Sequence, residues 1–227
     1  MSFTLTWHGH ATYSLTTGAH KLLIDPFITD NPSATVSADE LEADFILISH
    51  GHGDHVGDAV DIAKRTGALI ISNFEIATWF EKQGFDVHAQ HIGGGYLHPF
   101  GHLKLTLALH GSALPDGSDG GNPVGFLLTL VEGEKIYFAC DTGLFSDMRL
   151  IGEEGIDLAL LPIGDNYTMG PTDALKAVTF IQPKHVIPVH YNTFELINQD
   201  ADKWAEEVRG KTDTIPHVLK PGENFSL

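Results

Sequence analysis

At 227 residues the chain is long enough for one large domain, and a 42% hydrophobic content supplies an ordinary globular core. Thirteen Lys and Arg stand against 30 Asp and Glu, a formal charge of −17. With Lys64-Arg65 the only adjacent basic pair, this balance excludes the basic stripe of a nucleic-acid binder and repels polyanions. The longest apolar runs, 126–131 and 158–163, are too short to cross a bilayer, and the lone Cys140 has no partner for an internal disulfide.

The opening residues, Met1 to Trp7, read as a first strand (regular from Phe3) rather than a secretion signal, so a cytoplasmic location is expected. Further strands are expected at Ala11 to Thr16, Lys21 to Asp25 and Phe45 to Ser49. A helix should follow over Gly57 to Thr66, then a strand at Leu69 to Ser72 and a helix from Phe74 to Gln83. The second half starts again with strands at His102 to Leu109, Val124 to Val131 and Lys135 to Ala139, the last two joined by a Glu132-Gly133-Glu134 turn. A short helix at Asp147 to Glu154, a strand at Leu158 to Ile163 and a helix at Thr172 to Ile181 follow. A strand at Val186 to Val189 and a helix at Asp202 to Lys211 complete the pattern. No repeat or linker divides the chain, and residues 1–227 are read as one domain of α/β (α+β) class. Two sheet-then-helix halves suggest two sheets packed face to face with helices outside, although periodicity alone allows other layering.

The expected strand at Phe45 to Ser49 runs into His50-Gly51-His52-Gly53-Asp54-His55. Three imidazoles and a carboxylate at a buried strand end are costly to desolvate unless a positive charge gathers them, and a divalent metal suits that donor set. His110, Asp141 and His190 each follow a strand, where one edge of the sandwich can collect them. Alternation along the strand turns Cys140 away from Asp141, as a buried packing residue.

The H-x-H-x-D-H run resembles the hallmark of the metallo-β-lactamase superfamily. That resemblance implies a four-layer αββα metallo-β-lactamase-like sandwich. It also implies a division of donors: His50, His52 and His110 on a first metal, Asp54, His55 and His190 on a second, with Asp141 bridging. Two divalent ions are expected, zinc first, with manganese, iron or nickel also suited to the donors. Longer stretches resemble a narrower group of prokaryotic metal-dependent hydrolases related to ascorbate-6-phosphate lactonases. They are residues 7–12, 23–27, 140–148, 161–170 and 188–194. The resemblance implies a binuclear hydrolase in which a metal-bridging hydroxide, oriented by Asp54, attacks a small ester or lactone, including a sugar-acid phosphate lactone. A small-molecule phosphodiesterase is the alternative. An iron redox protein is a further one, disfavoured because His52 stands where diiron oxygen-reducing relatives carry glutamate; a metal sensor without turnover is another. The partner expected is a small-molecule substrate, with no nucleic acid and no membrane. The group leaves room for a homo-oligomer that no feature of the sequence specifies.

Four other residues are candidates near the centre. Asp25 is read as a brace for the His50 to His55 loop or as a turn former before Pro26. His10 is read as a substrate contact, a proton donor or a structural residue. Tyr191 and Asn192 directly follow a candidate ligand; one of them is read as a group that polarises a carbonyl or protonates a leaving group, with packing as the other reading of Tyr191. The segment Gly111 to Pro123 is expected to be a mobile rim loop. His20, His88, His91, His98, His102, His185 and His217 are expected in turns or at the surface.

Overall fold

A computed structural model describes residues 3–227; Met1 and Ser2 of the expected opening strand lie outside the described residues. The chain forms strands β1 (Phe3–Trp7), β2 (Tyr13–Thr17), β3 (His20–Ile24) and β4 (Phe45–Leu47), then helices α1 (Gly53–Val56) and α2 (Ala59–Thr66). Strand β5 (Leu69–Asn73), helix α3 (Phe74–Glu81) and strand β6 (Val87–Gln90) follow. The second half holds β7 (Gly95–His98), β8 (Gly101–Leu107), β9 (Val124–Leu130), β10 (Lys135–Phe138), α4 (Met148–Gly152) and β11 (Leu158–Pro162). It ends with α5 (Pro171–Ile181), β12 (His185–Val189), α6 (Ala201–Lys211), β13 (Ile215–Pro216) and β14 (Asn224–Ser226).

Two seven-stranded sheets result, ordered β14-β1-β2-β3-β4-β5-β6 and β13-β12-β11-β10-β9-β8-β7. Each is antiparallel at one part and parallel at another. Alternation decides the layers. Leu22, Ile24, Phe45, Leu47 and Ile71 point into the core shared with the second sheet, against residues such as Leu105, Phe126 and Phe138. Their neighbours Leu23, Ile46, Ile48 and Ile70 point the other way, onto Ile62 and Ala63 of α2 and Ile76 and Phe80 of α3. On the far side, α5 and α6 lay Ala174, Val178, Trp204 and Val208 against the second sheet. The αββα sandwich expected from the resemblance is what the chain builds. Among the described residues no helix is long and apolar enough to cross a membrane.

Several boundaries move for physical reasons. The expected helix at Gly57 to Thr66 starts two residues later, at Ala59, because Gly57, at φ +41°, closes a separate short turn, α1, that the His50 to His55 run makes for itself. Strands β6 and β7 escape the periodic reading because they are short, mostly half-buried or exposed edges. His98, expected at a turn or the surface, is buried and stacked on Phe100 at 5.0 Å. Strand β14 carries no strong pattern, yet pairs with β1 across nearly the whole sequence. The 111–123 segment is held, not free: Ser112 Oγ accepts from the Gly51 amide, Asn73 Nδ2 donates to the Gly120 and Asn122 carbonyls, and Leu114 is buried.

Gly57 carries the tightest of these turns. A Cβ there would meet the Pro26 carbonyl oxygen at 2.3 Å and Phe27 Cα at 2.7 Å. Gly57→Ala should therefore lower stability by about 3 kcal/mol, combining a positive-φ penalty with a backbone clash. Urea unfolding checks this: an unchanged midpoint would show that the α1–α2 turn relaxes freely.

Candidate metal centre

The polar residues of the site come from loops that leave the strands at one end of the sandwich. His10 sits in the β1–β2 turn, Asp25 after β3, and His50 to His55 after β4 and through α1. His110 follows β8, Asp141 follows β10, and His190 follows β12. Non-glycine residues with left-handed backbone concentrate here: His10 (φ 53°), Asp25 (44°), Cys140 (54°) and His190 (53°). Each such residue costs on the order of 1–2 kcal/mol, so the surrounding structure must hold these conformations in place. Part of that hold is visible. The His190 amide donates to the His10 carbonyl at 2.9 Å, tying the two sheets together beside the site. Thr12 Oγ1 donates to the Asp25 carbonyl, and the Leu109 amide donates to Thr142 Oγ1.

All seven residues that the sequence suggests as ligands come together. One cluster consists of His50, His52 and His110; another combines His10, Asp54, His55 and His190. His50 Nε2 lies 3.0 Å from His52 Nδ1. Asp141 stands between the clusters, its Oδ2 3.1 Å from His190 Nε2, 3.3 Å from His55 Nε2 and 3.5 Å from His110 Nε2. Donors about 2.1 Å from one tetrahedral ion are about 3.4 Å apart, so these spacings fit shared cations.

Hydrogen bonding supports the fit. Asp141 Oδ1, His55 Nε2 and both His190 ring nitrogens are buried without a hydrogen-bond partner, although His190 Nε2 and His55 Nε2 lie close to Asp141. Groups left unpaired in this way cost on the order of 1–3 kcal/mol each unless something else binds them. Among the described residues no Lys or Arg lines the pocket that holds Asp54 and Asp141. Burial pulls the His55 imidazole down, but Asp141 and Asp25 outweigh it and drive its pKa well above the usual range. Burial would raise the Asp141 carboxyl, but His190 and His55 hold it well below the carboxylate range. Burial also keeps His50 well below the usual range, and therefore neutral and fit to donate a lone pair. The site thus calls for positive charge: it offers a neutral nitrogen donor at His50, and at His55 it holds a proton that a cation would displace.

Asp25 lies behind the donors and is fully buried. Its Oδ2 is 2.9 Å from His55 Nδ1, and its two oxygens accept from the Ser49 amide and hydroxyl. Ser49 Oγ, having spent its proton on Asp25, accepts from His50 Nδ1 at 3.0 Å. His50 is therefore set with Nδ1–H facing back and its Nε2 lone pair facing the centre; His55 also turns Nδ1–H back, and its Nε2 becomes a donor once it gives up its proton. These contacts fit the brace reading of Asp25, and the Phe27 amide, donating to the Asp25 carbonyl at 2.8 Å, fits the turn reading as well. Ser49 escaped the sequence reading, although its position between strand and motif was the available signal.

His10 faces the site, with Nε2 3.2 Å from Asp54 Oδ2 and Nδ1 3.0 Å from Thr193 Oγ1. The contacts of Tyr191 match the packing reading, and the catalytic reading of Tyr191 and Asn192 is corrected. The left-handed backbone at His190 and Asn192 turns both away from the donors. Tyr191 stacks on Trp7 at 5.6 Å, and Asn192 Oδ1 accepts from the Gln199 amide; together they line a different cavity. Neither is positioned to polarise a carbonyl or protonate a leaving group. Cys140 is buried as expected, and burial with Asp25 and Asp141 nearby pushes its thiol well up, leaving it inert.

The donors form the floor of a pocket of 410 Å³, walled by Tyr167, Phe194 and Leu196. That is within the ~300–1,000 Å³ typical of small-molecule sites. Phe194 and Leu196 carried no periodic signal; only the loop after β12 brings them over the site.

Comparison with known proteins agrees with this geometry. The model of a β-lactamase superfamily domain matches residues 4–190. A UPF0173 metal-dependent hydrolase from Thermus thermophilus is 51% identical, over 96% of this chain and 96% of its own. Another from Heliobacterium modesticaldum is 49% identical, over 98% and 97%. The solved structure of a metallo hydrolase from Ignicoccus hospitalis superposes with a TM-score of 0.91 at 35% identity, covering 99% of both chains. On its own sequence and on this likeness, the chain belongs to the UPF0173 metal-dependent hydrolases of the β-lactamase superfamily.

Proposed function

We propose that this metal-dependent hydrolase holds two divalent ions and cleaves a small ester or lactone. One observation carries the binuclear reading: the donors divide into two clusters with the buried Asp141 carboxylate between them. His50, His52 and His110 would hold one ion, Asp54, His55 and His190 the other, with Asp141 shared. Zinc is the first choice for such nitrogen-rich sites, and manganese, iron and nickel also suit them. Bound ions would bring the pKa of water toward neutrality and polarise the scissile oxygen.

The chain's own residues supply position. Burial would raise the Asp54 carboxyl, but the His10 hydrogen bond and His55 hold it well below the usual range. An acid that strong is a poor proton acceptor at neutral pH, so Asp54 orients the attacking water by accepting its hydrogen bond. Its side chain, 34% exposed, faces the pocket. Burial, with His190, lowers His10 to about 4, against the pull of Asp54. His10 is then neutral at pH 7: Thr193 donates to Nδ1, and Nε2–H donates to Asp54. This makes His10 a positioning residue and not a proton donor. Hydrolysis breaks the acyl carbon–oxygen bond, water giving its hydroxyl to the acid and its proton to the alcohol. The partner proposed is therefore a small molecule, in keeping with the size of the pocket.

Three outcomes are expected. Asp54→Ala should lower kcat on p-nitrophenyl esters at least about 10²-fold while leaving the circular dichroism spectrum unchanged; undiminished turnover by the metal-loaded variant would remove Asp54 from the reaction. Asp25→Asn should weaken metal binding about 10–100-fold, the cost of losing an outer partner of ligating histidines, as read by competition with a chromogenic chelator. Elemental analysis after metal loading should find two ions per chain, and Asp141→Asn should reduce that count; a single ion in the wild type would sink the binuclear reading.

A further inference from the structure

The wall of the pocket points to one class of ester. Its floor is polar, but Tyr167, Phe194 and Leu196 stand over it with 53%, 41% and 65% of their surface exposed. Exposed apolar side chains grouped at the mouth of a polar site are a mark of ligand contact. They are mounted on built loops. Gly164 lets its loop approach the His190 carbonyl so closely that a Cβ would sit 2.2 Å from it. Asp165 and Asn166 turn through left-handed backbone at φ 62° and 46°, and the Met169 amide donates to the Thr142 carbonyl, which sets Tyr167 over the pocket. Phe194 packs edge-on to His10 at 5.6 Å and near Phe27 at 6.4 Å, and Ile197, just beyond Leu196, is buried.

The charge pattern agrees. Besides Asp54 and Asp141 the pocket is lined by four imidazoles and three apolar side chains, and among the described residues no Lys or Arg lines it. A phosphate or carboxylate away from the scissile bond would meet aromatic and aliphatic surface in a chain of net charge −17. Nothing on this wall would offset its desolvation. Phosphate-bearing lactones and phosphodiesters with a second charged arm are poorly matched.

We infer that the substrate carries an uncharged hydrocarbon group beside its scissile ester, seated on Tyr167, Phe194 and Leu196. This rests on the ester-hydrolase reading above. The test is a series of p-nitrophenyl acetate, butyrate and octanoate with the metal-loaded protein, alongside p-nitrophenyl phosphate. From acetate to butyrate, two methylenes, kcat/KM should rise about fifteenfold, since each buried methylene is worth roughly a factor of four. p-Nitrophenyl phosphate should be a poorer substrate than the butyrate, and Leu196→Lys should flatten the rise. Binding to the metal-free protein gives a readout independent of turnover: benzylacetone should shift the NMR signals of Tyr167 and Phe194, and phenyl phosphate should not.

The outcomes separate the two claims. Turnover of esters without a chain-length trend, or with phosphate preferred, overturns the inference and leaves the hydrolase reading standing. No ester turnover, with benzylacetone still bound on the wall, overturns the ester reading and keeps the wall as a hydrocarbon site. If Leu196→Lys instead breaks an oligomer and leaves the trend intact, the wall is a subunit contact and the inference falls.

Discussion

The structure is organised around buried negative charge, on Asp141 and Asp25, that its own side chains neutralise only in part. Asp141 is packed among imidazoles at the meeting point of two sheets, one of its oxygens close to three of them and the other without a hydrogen bond. Desolvating a carboxylate in this way costs several kcal/mol unless positive charge comes with it. The Ser49–Asp25 pair adds a second buried carboxylate behind the same histidines. The surrounding donors, their tautomers and the strained backbone that carries them all follow from that requirement.

The fold meets the requirement by placing strand ends, not helix faces, around the centre. Strands buried on both sides resist sliding, because a one-residue slip would turn their core residues outward. Rigid strands therefore fix where each loop begins, and short left-handed steps at His10, Asp25, Cys140 and His190 aim the side chain that follows or sits there. The same device explains why Tyr191 and Asn192 point elsewhere while their neighbour His190 faces the centre. Backbone strain at this end of the molecule is thus linked directly to the arrangement of donors.

The two levels of positioning have different chemistry. Asp25 and Ser49 hold Nδ1–H of His55 and His50 at the back of the site and leave both Nε2 atoms facing the centre, an effect transmitted wholly through hydrogen bonds. His10 and Thr193 do the same for Asp54, whose carboxylate stays ionised and open to the pocket. Beyond these, the pocket changes character abruptly to aromatic and aliphatic surface. A polar floor under an apolar wall separates the group that reacts from the group that is recognised.

The motif from His50 to His55, together with His110, Asp141 and His190, was legible from the sequence because metal-donor types are rare at strand ends and signal their own chemistry. The central strands were equally legible, since burial on one or both faces writes a period into residues such as Phe45 to Ile48. Ser49 and Thr193 were not, because a hydroxyl has many uses and only its neighbours in space reveal which applies. Edge strands β6, β7 and β14 lacked a burial pattern for the same reason that they lie at or near edges. Chain proximity alone suggested a role for Tyr191 and Asn192, and the sign of φ at His190 decided against it. The sequence by itself determined which donors are present and which strands carry them. Only the tertiary structure decided their grouping, their tautomers and the apolar wall above them, because those depend on contacts between residues far apart along the chain.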